Sequence, residues 1–360
     1  MDKKERNRTK IVIEKFIKMN LDALLITDIK NIRYLTNFTG SSGFLLLTEE
    51  RSTLVTDFRY KTQAEEEVIG FELRIDNQKL PDVVAKLTEE LDLKNLGFEA
   101  QALSFDLYRK ISERLTGIEL KPTTDLIEGL RILKEEKEII SIRTAIAMAE
   151  ESFNSIQEFL RPGIIEKDIA IALEHELRKR GSGSIPFDII VASGKRAALP
   201  HAASSQKPLE KGDLVILDWG AEADGYHSDI SRTFLLRDKD DSEKEKVYNV
   251  VLNAQREAIE NIRPGMTFSG LDAIARDFIR DAGYGEYFGH SLGHGIGLSV
   301  HETPRISWQE EGFIETGMVF TVEPGVYKPD LGGIRIEDIV LVTDGEAEVL
   351  THLPKDLVII

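Results

Sequence analysis

The chain of 360 residues is long enough for two ordinary domains or one large domain, and it can bury a sizeable core. Hydrophobic residues make up 41% and charged residues 30%, as in ordinary globular proteins, and no apolar run reaches the roughly 18 residues of a membrane span. The 63 acidic residues outnumber the 46 basic ones, and the net charge of −17 repels nucleic acid and anionic membranes. We therefore expect a soluble protein with no nucleic-acid or membrane partner.

The sequence contains no cysteine, which limits its chemistry. Disulfides, zinc fingers, iron–sulfur clusters and thiol nucleophiles are excluded, so a metal site must use His, Asp and Glu. The N-terminal segment lacks the apolar core of a signal peptide, because Glu14, Lys15 and Lys18 interrupt residues 11–21. The expected location is the cytoplasm.

The first third of the chain alternates short apolar runs, such as those beginning at Ala23 and Phe44, with helical patterns. This alternation indicates a small α/β domain. The pattern breaks at residues 122–125, and a charged helix follows, so we place the domain boundary in this interval. We assign residues 1–126 to an N-terminal α/β domain and residues 127–360 to a second domain.

The second domain contains an internal repeat. Arg161-Pro-Gly163 recurs as Arg263-Pro-Gly265, 102 residues later, with an amphipathic helix predicted before and after each copy. The second helix of each copy stops at a glycine, Gly181 or Gly283, and these glycines keep the same offset. We infer a duplicated α+β unit with pseudo-two-fold symmetry.

The first copy contains two predicted strands, each carrying an aspartate, joined by a turn at residues 222–225. If the turn is centred on all four residues, Asp218 lies opposite Asp229, about 5 Å away on one face. If it is centred on Asp224-Gly225, the two aspartates are diagonal neighbours on that face. Facing carboxylates repel each other unless a proton or a cation lies between them.

The second copy repeats this arrangement with glutamates. Glu323 ends one predicted strand, and Glu337 lies in the next, after a loop through Pro329. A turn centred on Asp330 pairs Glu323 with Glu337. Surface carboxylates on an edge strand are the simpler explanation of a single pair, but four carboxylates from two related hairpins indicate a site for two divalent ions.

Three of the seven histidines, His290, His294 and His301, fall within twelve residues. Four glycines in the same segment argue against a helix, so the spacing of His290 and His294 does not indicate a helical zinc motif. A glycine-rich segment instead lets the backbone and the imidazoles approach a buried centre. The segment also lacks the Lys-Ser/Thr pair of a phosphate-binding loop.

Together these residues resemble the pita-bread metallopeptidases, and within them the proline-specific branch of prolidase and aminopeptidase P. Residues 1–126 resemble the N-terminal α/β domain of that branch, and residues 127–360 its duplicated α+β catalytic domain. Five residues match the metal-ligand positions of the family in order: Asp218, Asp229, His294, Glu323 and Glu337. The match of all five is specific, whereas any single motif would be weak.

The resemblance assigns roles to these residues. It makes Asp218 and the bridging Asp229 ligands of one ion, His294 and Glu323 ligands of the other, and Glu337 a second bridge. Glu323 also acts catalytically, as a proton shuttle. Carboxylates with few imidazoles suit hard ions, so Mn²⁺ is the expected metal, with Co²⁺ or Zn²⁺ as alternatives.

The resemblance also implies residues that contact the substrate. His201 and His301 flank it and act in catalysis, His290 lies at the rim of the site, and Arg335 is held beside Glu337. Arg305 closely follows His301, as in prolidases, and is a candidate to bind the free carboxylate of a dipeptide; Arg335 is the second candidate. A surface position for Arg305 is the simpler alternative.

The resemblance implies a dipeptidase that cleaves the bond before proline in Xaa-Pro dipeptides and forms a homodimer. The main alternative is an aminopeptidase P that acts on longer peptides with proline second. A creatinase-like hydrolase would lack the metal ligands, and a methionine aminopeptidase would not require the N-terminal domain. A non-catalytic pita-bread binding protein is the alternative of another class, and the loss of a ligand would favour it.

Overall fold

The computed structural model describes residues 7–360, which form two compact units that divide between Arg131 and Ile132. The predicted boundary, after residue 126, falls just before the short helix that ends the first unit, Glu128–Arg131. Among residues 7–360, no helix is both long enough and apolar enough to cross a bilayer.

The first unit is an α/β domain built on one six-stranded sheet. Its strands are β1 (Ala23–Ile26), β2 (Phe44–Thr48), β3 (Ser52–Thr56), β4 (Glu72–Ile75), β5 (Asn95–Glu99) and β6 (Glu119–Thr123). Its helices are α1 (Arg8–Lys18), α2 (Ile29–Thr36), α3 (Lys61–Glu67), α4 (Leu80–Glu90), α5 (Phe105–Ser112) and α6 (Glu128–Arg131).

The strand order in this sheet is β4-β3-β2-β1-β5-β6, and β2 runs antiparallel to both of its neighbours. The central strands are buried on both faces, which explains why Ala23–Ile26 and Phe44–Thr48 are almost continuously apolar. The predicted α/β N-terminal domain is therefore confirmed.

The second unit contains four long helices and thirteen short strands. The helices are α7 (Glu136–Ile156), α8 (Glu166–Lys179), α9 (Ser242–Asn261) and α10 (Phe268–Asp281). The strands of the first half are β7 (Ile190–Ser193), β8 (Leu214–Trp219), β9 (Glu222–Ala223), β10 (Tyr226–His227) and β11 (Ile230–Leu235). The remaining strands are β12 (Gly293–Gly295), β13 (Glu302–Ile306), β14 (Val319–Val322), β15 (Gly325–Lys328), β16 (Gly332–Arg335), β17 (Asp338–Leu341), β18 (Glu348–Val349) and β19 (Val358–Ile359).

Two larger sheets carry the site, in the orders β19-β11-β8-β7 and β13-β12-β14-β17-β18. The pairs β9/β10 and β15/β16 extend two of their hairpins. Each half buries its own pair of helices in its own apolar cluster. Trp219 lies in the cluster of α7 and α8, and Phe320 lies in that of α9 and α10.

The predicted duplication is confirmed by the helix bounds. Helix α10 begins and ends 102 residues after α8, the offset that the sequence repeat predicts. Gly163 and Gly265 have φ angles of 91° and 87°, and each donates a backbone hydrogen bond of 2.8 Å to a returning chain. The repeat therefore preserves the turn and its hydrogen bond as well as the helices.

Candidate metal centre

The first hairpin places its two aspartates diagonally. Strands β8 and β11 pair so that Asp218 lies opposite Ser231, two residues beyond Asp229. The tight turn is Asp224-Gly225, and both residues have positive φ angles, 48° and 74°. Such a two-residue turn matches the twist of its strands. The direct opposition of Asp218 and Asp229 is therefore wrong, and the diagonal alternative is the observed arrangement.

The second hairpin has the predicted register. Val322 pairs with Asp338 on one side of the glutamates, and Gly325 pairs with Arg335 on the other. This register brings Glu323 opposite Glu337. The predicted loop between them, however, contains two more strands, β15 and β16, which extend the hairpin beyond the glutamates.

The two hairpins and the glycine-rich segment bring all five predicted ligands together. Among residues 7–360, three groups of possible metal ligands have donor atoms that all lie within 4.8 Å of one another. They are Asp218 with Asp229 and Glu337, His294 with Glu323 and Glu337, and Asp229 with His294 and His301. Glu337 belongs to the first two groups and Asp229 to the first and third, so both carboxylates lie between two clusters of donors.

His294 presents one ring nitrogen to the carboxylates. Its Nδ1 lies 3.1 Å from the carbonyl oxygen of Gly295, which can only accept, so Nδ1 carries the proton. The unprotonated Nε2 lies 3.3 Å from Glu323 Oε1 and 3.7 Å from Asp229 Oδ2. This is the tautomer of a metal-ligating histidine, oriented by a backbone carbonyl.

The buried carboxyl groups have raised pKa values. Burial, followed by repulsion from Glu337 and Asp218, raises the pKa of Asp229 well above its usual value. Burial and the neighbouring carboxylates also raise the pKa of Glu337, and burial raises the pKa of Glu323 to about 8. The charged forms of all three are therefore disfavoured, and a cation between them would remove this penalty.

Arg335 is the one cation buried among these carboxylates in the described residues, with 3% of its surface exposed. It donates from Nη2 to Asp218 Oδ2 at 2.7 Å and from Nε to Ser231 Oγ at 2.8 Å. Ser231 in turn donates to Glu337 at 2.8 Å. Arg335 thus braces Asp218 directly and Glu337 through a serine.

The second carboxylate oxygen of Asp218 indicates whether these residues can bind a metal ion. Its Oδ1 is buried and has no hydrogen-bond partner. A buried carboxylate oxygen without a partner is costly, and here it lies in a group of hard oxygen donors that divalent ions prefer. The donor set therefore fits divalent metal ions.

His290 belongs to a hydrogen-bonded chain that leads through Tyr327 to Arg335. Its Nδ1 donates to the Ser291 carbonyl at 2.8 Å, so its Nε2 accepts from the Tyr327 hydroxyl at 3.0 Å. That hydroxyl also accepts from Arg335 Nη1 at 2.9 Å. Burial lowers the pKa of His290 to about 4 and raises that of Tyr327 to about 12, so both side chains are neutral near pH 7.

The three other predicted residues lie on the open side of the centre. His301 is exposed, and its ring packs edge-on against that of His294, with the ring centres 4.4 Å apart. Arg305 is exposed on β13, directly across from His294. His201 is also exposed, and both its charge and that of Arg305 contribute to lowering the pKa of His301, after the larger effect of burial.

Glycines in the histidine segment allow close approach of two backbones. A Cβ at Gly293 would lie 1.8 Å from the Thr321 carbonyl oxygen, and one at Gly295 would lie 2.4 Å from that of Thr303. The segment is not helical, as predicted, and β12 fits between β13 and β14 because these positions lack side chains.

Sequence reasoning missed the residues that orient the ligands. Thr321 accepts a hydrogen bond from the His294 backbone and donates to Glu323 at 3.3 Å. Tyr327 and Ser231 complete the chain around Arg335. The sequence alone gave little indication of their role, because Thr, Tyr and Ser are common residues in strands. Their positions within four residues of a ligand, or directly opposite one, are the pattern that could have identified them.

Comparison with known proteins agrees with this geometry. Residues 141–344 match metallopeptidase family M24, and residues 8–133 match the creatinase/prolidase N-terminal domain. A solved structure described as a Xaa-Pro dipeptidase from Bacillus anthracis is 42% identical, with a TM-score of 0.95, and the alignment covers 98% of this chain and 99% of that one.

Two other similar proteins differ in their named activity. A Xaa-Pro dipeptidase of Pyrococcus horikoshii is 38% identical over 98% of each chain. An X-Pro aminopeptidase from Thermotoga maritima is 39% identical, with a TM-score of 0.88, over 98% of this chain and 99% of that one. The family implies divalent metal ions, and the chain belongs to metallopeptidase family M24.

Proposed function

We propose that the chain is a dinuclear metallopeptidase that cleaves Xaa-Pro dipeptides. Similarity to proteins named Xaa-Pro dipeptidase supports this reaction. The observation that carries the restriction to dipeptides is the position of Arg305. This exposed cation lies on β13, where it pairs with the ligand candidate His294 on β12.

Five residues would hold two ions. Asp218 and Asp229 would bind one ion, His294 and Glu323 the other, and Asp229 and Glu337 would bridge them; the overlapping donor groups support this division. Mn²⁺ is the expected metal, because four of the five donors are carboxylates and thiolates are absent from the sequence. When bound, the ions would polarise the peptide carbonyl and lower the pKa of water.

The protein's own side chains would handle the proton and the substrate. Glu323 would take a proton from the attacking water and pass it to the proline nitrogen. His201 and His301, on the open side, would donate hydrogen bonds to the substrate and to the oxygen that becomes negative. Arg335 and Tyr327 would keep Asp218 and His290 in place through the hydrogen bonds described above.

Arg305 would recognise the end of the substrate. An Xaa-Pro dipeptide ends in the free carboxylate of its proline, and a guanidinium can bind a carboxylate through bidentate hydrogen bonds. No carboxylate among residues 7–360 forms an ion pair with Arg305, whereas Arg335 already donates to Asp218, Ser231 and Tyr327. Arg305 is therefore the better candidate of the two, and Arg335 acts as a brace.

The test compares Ala-Pro with Ala-Pro-Ala on the Mn²⁺-loaded protein and on Arg305→Ala. We expect the wild type to prefer the dipeptide. Arg305→Ala should cost about 2 to 5 kcal/mol in dipeptide kcat/KM, and much less for the tripeptide. Arg178→Ala, which removes an exposed arginine from α8, is the matched control and should change neither value.

A wild type that prefers the longer peptide, with no selective loss in Arg305→Ala, would assign the activity to an aminopeptidase P instead. The homodimer and the cytoplasmic location stay predictions, which sedimentation and cell fractionation would measure.

A further inference from the structure

The segment between β7 and β8 carries His201 and is held by a single buried carboxylate. Glu166, in the first turn of α8, is fully buried and accepts hydrogen bonds from both ends of the segment. Its Oε1 accepts from the backbone N–H and the hydroxyl of Ser193, both at 2.8 Å. Its Oε2 accepts from the Ser205 hydroxyl at 2.6 Å and the Ser205 N–H at 3.1 Å.

The same carboxylate also holds the interior of the segment. Arg196 donates from Nε to Glu166 Oε2 at 3.2 Å. The first turn of α8 adds two backbone bonds, from Glu166 N to Lys207 O and from Lys167 N to Ser205 O, each 3.0 Å long. The segment 193–205 is therefore closed at its base by α8, with Glu166 as the common acceptor.

The middle of the segment lies against the metal centre. The Pro200 carbonyl accepts a hydrogen bond of 3.1 Å from Arg335, the arginine that braces Asp218. The Ala197 carbonyl packs so closely on Gly333 that a Cβ there would lie 1.9 Å from its oxygen. A shift of the segment would therefore move His201, whereas Arg335 keeps its hydrogen bonds to Asp218, Ser231 and Tyr327.

The second half holds its histidine segment with a different residue. The position 102 residues after Glu166 is Phe268, which cannot accept a hydrogen bond. Asp272, fully buried on α10, instead accepts from Leu292 N at 3.1 Å and pairs with Arg276, which donates to the His290 carbonyl. A buried carboxylate on the second helix therefore holds the histidine segment in both halves, although the duplication does not align the two.

We propose that Glu166 is a positioning residue that fixes the segment 193–205 and, through it, places His201 against the substrate. The role of His201 rests on the proposed function, whereas the hold on the segment does not. Glu166 makes no contact with the metal-ligand candidates, so its effect passes through the segment.

The five hydrogen bonds to Glu166 require a carboxylate at this position. All five partners are donors, and a carboxylate offers two acceptor oxygens and no donor. In Glu166→Gln, one oxygen becomes an NH₂ group that faces a backbone N–H in either orientation, that of Ser193 at the Oε1 position or that of Ser205, with the Arg196 guanidinium, at the Oε2 position. At least one buried donor would then lose its partner, which loosens one end of the segment while keeping the size of the side chain.

The first experiment is amide hydrogen exchange on Glu166→Gln, with Asp241→Asn as the matched control. Asp241 is another buried carboxylate of the second unit, and it accepts from Asp238 and Lys244 at the start of α9. We expect faster exchange across residues 193–205 in Glu166→Gln alone, with residues 288–297 unchanged. Unchanged exchange in 193–205 would overturn the proposal.

The second experiment is a double-mutant cycle with His201→Ala. We expect Glu166→Gln to lower kcat about 10-fold or more with the metal content retained, and to cause little further loss once His201 is removed. A merely structural role would make the two losses multiply, which would overturn the coupling to His201. If Glu166→Gln does not fold, Ser205→Ala, which removes one of the five donors, takes its place in both experiments.

The two proposals fail separately. A wild type that cleaves neither Ala-Pro nor Ala-Pro-Ala would refute the proposed function, while hydrogen exchange would still decide whether Glu166 holds the segment.

Discussion

The two halves of the second unit share a scaffold but contribute unequally to the site. Their second helices match residue for residue in length, and each is followed by a hairpin with two carboxylates. The first half adds the exposed His201 to this pair, whereas the second half adds His290, His294 and His301. The duplication therefore accounts for the carboxylate framework, and the unequal segments account for the asymmetry of the donor set.

The difference arises from backbone packing. Strand β12 fits between β13 and β14 because Gly293 and Gly295 let neighbouring backbones approach. In the first half β7 occupies the position equivalent to β12, and the segment that follows it, 193–205, packs on β16 and carries an exposed histidine. The second half thus supplies a ligand candidate, His294, and the first half only a proposed substrate contact, His201, which predicts different effects for substitutions in the two halves.

The largest expected effect comes from removing the divalent ions that the carboxylates of both halves would bind. Chelation should abolish peptidase activity, because the proposed ligands include all four carboxylates, two from each half. Mn²⁺ should restore activity, and metal analysis should find about two ions in the wild type. Asp218→Asn should lower the ion content while circular dichroism stays unchanged. Full activity in metal-free protein would refute the dinuclear centre.

Glu323→Gln sharpens the comparison between the hairpins. The amide can still ligate weakly but cannot carry a proton, so kcat should fall about 10²- to 10⁴-fold with at least one ion retained. Steady-state kinetics and metal analysis on the same sample would measure both effects. A variant that keeps its metal and its normal kcat would show that Glu323 has no role in proton transfer.

The histidines outside the ligand set test whether the two halves serve the substrate equally. His201→Ala and His301→Ala should each lower kcat about 10²-fold, the usual scale for one hydrogen bond to a transition state. Only His301→Ala should also affect metal content, because His301 lies within the donor group of Asp229 and His294. Near-normal kcat in either variant would show that its role is misassigned.

Two glycines of one segment test the packing argument. Gly293→Ala forces a Cβ into the Thr321 carbonyl and should destabilise the protein by about 1 to 3 kcal/mol. Gly289→Ala is the matched control, since nothing lies within 4 Å of its Cβ position. Denaturant unfolding would compare the two variants, and equal midpoints would contradict the close approach of β12 to β14.

The smallest expected effect is the pH dependence of the metal-free protein. A carboxyl whose pKa is raised by folding binds its proton more tightly in the folded state, so stability falls as pH rises toward the folded pKa. Glu323, with a pKa of about 8, should therefore lower stability by about 1 kcal/mol between pH 7 and 8. His290 and His294, whose folded pKa values are about 4, are neutral in the folded state throughout this window, and the protons that their unfolded forms still lose change stability by only about 0.1 kcal/mol each in the opposite direction.

Thermal unfolding of chelated protein at pH 7 and 8 would measure this loss, and Glu323→Gln should reduce it. A melting temperature that rises over the same interval would contradict the raised pKa.

Much of the fold could be predicted from the sequence because its signals are local. The offset of 102 residues predicted the matching helices α8 and α10, and the pattern around Asp330 predicted the register of Glu323 and Glu337. The opposition of Asp218 and Asp229 was wrong because it depended on which turn residues take positive φ. Asp224 and Gly225 take it together, and this shifts the pairing by two residues.

The contacts that could not be predicted join residues far apart in the chain. Arg335 contacts Asp218 and Pro200, more than a hundred residues away, and Glu166 contacts Ser205 across a helix and a strand. Local spacing carries no information about such contacts. Candidate ligands could be proposed because metals accept only a few residue types, whereas many residue types can hold a ligand in place through hydrogen bonds.

The burial of Arg335 among four carboxylates sets the formal charge of the site. When fully ionised, the four carboxylates and one guanidinium carry three negative charges, which attract divalent cations, whereas in the ion-free site the raised pKa values mean that protons offset part of this charge. With two divalent ions bound, the same residues carry one positive charge, and the exposed Arg305 adds another. Metal binding would therefore replace protons with ions and leave the site positive, so that an anionic peptide is attracted most strongly to a centre that is ready to cleave it.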